Sequence, residues 1–81
     1  MSEAERLAEI YVNEGVIPTK FTYDALHIAV ATTKDLEYIF SLNFKHINKV
    51  KTKTMTSVIN VREGYRQLII ASPMEVAEDD E

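Results

Sequence analysis

The chain has 81 residues, 46% of them hydrophobic, no cysteine and a formal net charge of −4. That length allows one small domain around one core, because a fold of this size buries only about 60 to 65% of the surface its unfolded chain exposes. Two independent domains, disulfide staples and thiolate metal sites are excluded, no apolar run approaches the roughly 20 residues of a spanning helix, and the acidic opening Met1-Ser2-Glu3-Ala4-Glu5 does not read as a secretory signal.

A cytoplasmic location without a membrane partner is therefore expected. Taken in chain order, Ser2 with Glu5 three residues later has the pattern of a capping box, in which each side chain satisfies an orphan backbone N–H of the other. Ala4, Leu7, Ala8, Tyr11 and Val12 recur at helical spacing behind it, and Gly15 suits a left-handed C-terminal cap. The pattern predicts an amphipathic helix ending near Gly15. Val16-Ile17-Pro18-Thr19 is expected to be a connecting loop, since proline lacks a donor and pushes Ile17 toward extended geometry.

Thr22 is placed to cap a second helix that runs to about Lys34. Apart from Asp24 and His27 this helix is apolar nearly all round, which predicts packing on more than one side, and its alanines suit close approach to a sheet. Glu37-Tyr38-Ile39-Phe40-Ser41 is rich in β-branched and aromatic residues and predicts a short buried strand. After a polar segment from Asn43 to Asn48, Met55, Val58, Ile59 and Arg62 mark one face of a third helix closed by Gly64. Gln67-Leu68-Ile69-Ile70-Ala71 predicts a second strand, stopped by Ser72-Pro73.

Helix, helix, strand, helix, strand is the order of an α/β fold with a short parallel sheet flanked by helices, because parallel strands need a crossover helix between them. Two strands alone leave their edges open, so a dimer that continues the sheet is expected. Glu78, Asp79, Asp80 and Glu81 account for the whole net charge, and residues 77–81 read as an acidic tail without fixed structure. Lys45, Lys49, Lys51 and Lys53 gather four of the nine basic residues into one stretch, which is either a solvated face or a contact for phosphate.

Candidate chemistry is sparse. Asp24, in the first turn of the second helix, is either a ligand for a hard cation such as Mg²⁺ or Mn²⁺ or a partner for the positive end of the helix dipole. Asn43 follows the first strand, where α/β sheets place ligand sites, although turns and caps are the commoner use of asparagine. His27 shares a helix face with Asp24, but its apolar setting reads first as that of a core histidine. His46, beside Lys45 and Lys49, suits either phosphate contact and proton transfer or a turn hydrogen bond. Glycine-rich phosphate loops, serine nucleophile elbows and zinc-protease helices are absent.

Several stretches together resemble a known family. Residues 8–18, with Tyr11, Gly15, Ile17 and Pro18 in order, precede Asp24-Ala25-Leu26-His27-Ile28-Ala29. Ser41-Leu42-Asn43-Phe44-Lys45-His46-Ile47 follows, and then Gly64-Tyr65 and Ser72-Pro73-Met74-Glu75. This succession, spanning residues 4–76, is similar to the C-terminal half of PIN-domain ribonucleases of the VapC-like toxin type. The resemblance implies residues 1–76 as a single partial PIN-like domain, and a Mg²⁺- or Mn²⁺-dependent endoribonuclease ancestry in which acidic residues hold metal and activate water. Asp24 and Asn43 match the family's catalytic, metal-facing positions and Ser41 a small hydroxyl residue beside them. Lys45 and His46 match the branch motif and, with Lys49, are the expected phosphate or RNA contacts.

The family pattern begins with a central strand bearing an aspartate and with helices that include a glutamate, and none of this precedes Ser2 in the sequence. Glu3, Glu5 and Glu9 match no family motif. One carboxylate and one amide hold Mg²⁺ weakly or not at all in the isolated chain, since the ion gains most from anionic oxygens. The resemblance therefore implies a truncated PIN-like protein, inactive alone and completed by oligomerisation. A nuclease completed by a partner chain, and a noncatalytic module that binds RNA or protein, are the alternatives; an antitoxin is the partner that the family adds.

Overall fold

A computed structural model of the chain describes residues 1–40 and 50–71. The first helix, α1 (Glu3–Asn13), begins where the capping box predicts. Glu5 N–H donates to Ser2 Oγ, and Ser2 N–H donates to Glu5 Oε1, each at 3.1 Å. A 3-10 turn over Thr19–Phe21 leads into α2 (Thr22–Thr33), followed by β1 (Tyr38–Phe40), α3 (Val50–Arg62) and β2 (Ile69–Ala71). The result is a small α/β arrangement of three helices and a two-stranded parallel sheet, in which Tyr38, Ile39 and Phe40 pair with Ile69, Ile70 and Ala71.

All three helices close in the same way. At the end of α1, Gly15 N–H donates to Val12 O at 3.0 Å and Val16 N–H to Tyr11 O at 3.0 Å, with Gly15 at φ 75°. At the end of α3, Gly64 and Tyr65 donate to Val61 O and Asn60 O, with Gly64 at φ 90°. These pairs of bonds satisfy the last carbonyls of a helix and need a left-handed residue, for which glycine carries no steric penalty. The end of α2 has no glycine. Asp35 takes the left-handed position at φ 60°, with Asp35 N–H bonded to Thr32 O and Leu36 N–H to Ala31 O, and its carboxylate is clasped by Arg66 through bonds of 2.7 and 2.9 Å.

The core is formed by Leu7, Ala8 and Tyr11 of α1, Ala25, Ile28 and Ala29 of α2, Ile59 of α3, and Ile39 and Ile70 of the strands. Alanines at positions 8, 25 and 29 let α1 and α2 approach closely, and this is the most extensive packing between elements. Ile39 and Ile70 point together into the core, whereas Tyr38 (49% exposed) and Ile69 (47%) stand side by side on the opposite face. A parallel sheet normally carries cover on both faces; the described residues cover one.

Two expectations are corrected by packing. Thr22 does not act as the cap of α2: Phe21 holds that position, and the Thr22 hydroxyl instead bonds back to Thr19 O, closing the 3-10 turn. On α3 the inward face is Thr56, Ile59 and Asn60, while Met55 and Val58 are exposed. Polar residues occupy that face because Asn60 has partners waiting there. The Tyr11 hydroxyl donates to Asn60 Oδ1, Asn60 Nδ2 donates to Thr32 Oγ1 at 3.2 Å, and the Thr32 hydroxyl donates to Ile28 O at 2.9 Å. This buried chain of bonds ties α1, α2 and α3 together.

Candidate functional site around Asp24

Asp24 lies in the first turn of α2 and is half-buried. A turn over residues 34–37 connects α2 to β1, and the two elements touch. A carboxylate in the first helical turn also complements the helix dipole, so this position has a local as well as a functional use.

His27 stands one turn further along α2 and is exposed, not a core residue as its apolar neighbours in sequence suggest. It lines a shallow cavity of about 260 Å³ with Tyr23, Leu26 and Val30. The reason is rotational: Ala25, Ile28, Ala29 and Thr32 form the buried side of α2, and residue 27 falls away from that side at 100° per residue. Asn43, Lys45, His46 and Lys49, together with Ser41 and the acidic tail, lie outside the described residues.

Among the described residues no group of three or more acidic or histidine side chains is arranged to hold a metal ion. Asp24 by itself supplies fewer oxygen ligands than Mg²⁺ or Mn²⁺ requires. No helix among the described residues is long and apolar enough to cross a membrane.

A second feature lies close to Asp24 in the chain. Lys20 and Phe21, in the 3-10 turn, line a groove of about 580 Å³ with Lys51 and Met55 of α3. Lys20 Nζ sits 5.2 Å from the centre of the Phe21 ring. Of these four residues only Lys51 belongs to the lysine stretch visible in the sequence. Sequence spacing gives no sign of Lys20 and Phe21, because Lys51 and Met55 lie more than thirty residues further along the chain. Comparison with protein families, curated proteins and solved structures returns no match for the chain.

Proposed function

We propose that these residues form the C-terminal half of a PIN-like ribonuclease of the VapC type, and that the 81-residue chain by itself does not cleave RNA. The observation that carries the reading is the position of Asp24. It lies in the first turn of the helix that precedes the first of two parallel strands, within the segment Asp24-Ala25-Leu26-His27-Ile28-Ala29. In this reading Asp24 and Asn43 face the metal, Lys45, His46 and Lys49 contact RNA, and the remaining acids come from another polypeptide segment.

The sheet face that the described residues leave partly exposed supports oligomerisation. Tyr38 and Ile69 offer adjacent apolar surface on the face away from the core, and a second copy that covers this face or extends the sheet brings two Asp24 carboxylates into one assembly. An antitoxin is the heterologous partner consistent with the same reading.

The test combines Mn²⁺ titration, followed by electron paramagnetic resonance, with incubation of a mixed RNA substrate in Mn²⁺ or EDTA. Weak Mn²⁺ binding that is lost in Asp24→Asn, without cleavage, is expected. Cleavage that needs Mn²⁺ and vanishes in Asp24→Asn would mean that the chain completes its own site in an oligomer. Mn²⁺ binding unchanged by Asp24→Asn would remove the metal-facing role and the family reading with it.

A further inference from the structure

The buried side of α3 is formed by Thr56, Ile59 and Asn60. At about 100° per residue, Val50, Thr54, Val58 and Val61 fall in one stripe about 80° wide on the opposite side of the helix. The three valines are 79%, 54% and 57% exposed, so they make an apolar ridge that the described residues leave uncovered. Lys51 flanks the ridge on one side and is exposed. The shallow hollow on α3 beside Val58 and Val61 is lined by Lys53 and Arg62 and by no acidic residue.

The outer side of the α1–α2 pair has the complementary character. Ala8 and Val12 of α1 and Leu26 of α2 line a groove of about 320 Å³ edged by Glu5 and Glu9, with no lysine or arginine in its lining. At Leu26 it adjoins the cavity of Tyr23, His27 and Val30. A helix that is apolar nearly all round is normally covered on more than one side. The described residues bury α2 along Ala25, Ile28, Ala29 and Thr32, and leave Tyr23 on the outer side 82% exposed.

Arg6, Tyr11 and Glu14 of α1 bond to Glu63, Asn60 and Arg62, and the centre of the groove-lining set on α1 lies about half a turn around the helix from them. Ridge and groove therefore face away from each other, and a chain cannot fill its own groove. From this matched shape and opposite charge we infer that the α3 ridge of one copy seats in the α1–α2 groove of a second copy. The valines pack against Ala8, Val12 and Leu26, and Lys51 lies beside the Glu5 and Glu9 carboxylates. The contact joins two different surfaces, so its repetition gives a ring or an open chain of copies. It is separate from the pairing of sheet faces through Tyr38 and Ile69. A contact made by one 13-residue helix belongs among small interfaces, under roughly 1,200 Å², and its association is read at about 0.1 mM.

The test is fluorescence anisotropy between labelled and unlabelled full chains carrying two sets of changes. Glu5→Gln/Glu9→Lys alters the groove and keeps the capping box, in which glutamine serves as well as glutamate. Val58→Asp/Val61→Asp alters the ridge at exposed positions only. Each variant is expected to associate with itself at least about tenfold more weakly than wild type, the loss of two buried valines or of the charged rim. Mixed together, the two are expected to bind with wild-type affinity and stop at a 1:1 complex, because one supplies the intact ridge and the other the intact groove. Far-UV circular dichroism checks that each variant folds. A charge exchange with smaller changes serves beside it: Glu9→Lys and Lys51→Glu are each expected to weaken association, and both together in one chain to restore it to within about twofold.

Equal affinity in all pairings, like with like and unlike, overturns the inference and assigns association to another surface such as the sheet face. Wild-type chains that stay monomeric at about 0.1 mM overturn it too, as does a charge exchange in which the two losses simply add.

Discussion

The Tyr11 hydroxyl donates to Asn60 Oδ1 across 49 residues of sequence, and both side chains are fully buried. One bond thus fixes the rotation of α1 against α3, and Asn60 passes the connection to Thr32 of α2. Removing one member of a buried pair leaves the other desolvated, at a cost of about 1–3 kcal/mol. Tyr11→Phe and Asn60→Leu are each expected to destabilise the chain by at least that amount in urea unfolding. Their combination is expected to cost less than the sum by about 1 kcal/mol or more. Strict additivity would show that the hydroxyl and the amide act independently.

Burial pushes the Tyr11 hydroxyl up to about 12 from an ordinary value of 10.0, against the opposing effect of hydrogen bonding to Thr32 and Asn60. Between these values the unfolded chain has released the proton and the folded chain has kept it. Fewer protons on the unfolded state mean that stability falls as pH rises. Stability from this group is complete below about pH 10 and is lost progressively up to about pH 12. Equilibrium unfolding measured at stepped alkaline pH is expected to decline over that window in the wild type, and less steeply in Tyr11→Phe. Parallel curves for the two proteins would rule out Tyr11 as the source.

Thr56 lies one turn before Asn60 on the buried side of α3, and its hydroxyl has no hydrogen-bond partner among the described residues. A desolvated hydroxyl without a partner destabilises the fold, and valine replaces it with a methyl group of nearly the same shape. Thr56→Val is expected to raise unfolding stability by about 1 kcal/mol. A loss of stability would mean that the hydroxyl is bonded in solution.

Tyr38 and Ile69 form a half-exposed apolar pair on the sheet face away from the core. Tyr38→Lys/Ile69→Lys is expected to convert an oligomer to a monomer in light scattering at micromolar concentration while retaining the helical circular dichroism spectrum. A wild-type monomer at the same concentration would reject the oligomer outright.

Asp24 could be placed from sequence because its position depends on where a helix starts, a local matter. The lysine groove could not, because Lys20 and Lys51 become neighbours only when the 3-10 turn and α3 meet. Asn43, Lys45, His46 and Lys49 fall outside the described residues, so the candidate site was legible there as motif and not as geometry. The exposure of His27 is not legible in the sequence, because average apolarity along α2 does not say which side of the helix the core will take.

The sequence by itself determined the order of the helices and strands and the ends of α1 and α3. Ser2 and Glu5 start α1, Gly15 and Gly64 end α1 and α3, and two short apolar runs separated by a helix form parallel strands. These outcomes depend on backbone groups and side chains a few residues apart, whose hydrogen bonding and steric demands act locally. Tertiary structure alone decided which side of α3 turns inward and which residue ends α2. Thr56, Ile59 and Asn60 displaced Met55 and Val58 from the core because the Asn60 amide finds Tyr11 and Thr32 there. Asp35 adopts a left-handed backbone at φ 60° where its carboxylate is met by Arg66. In both cases a partner distant in sequence offsets a local cost, and only the folded chain brings the two together.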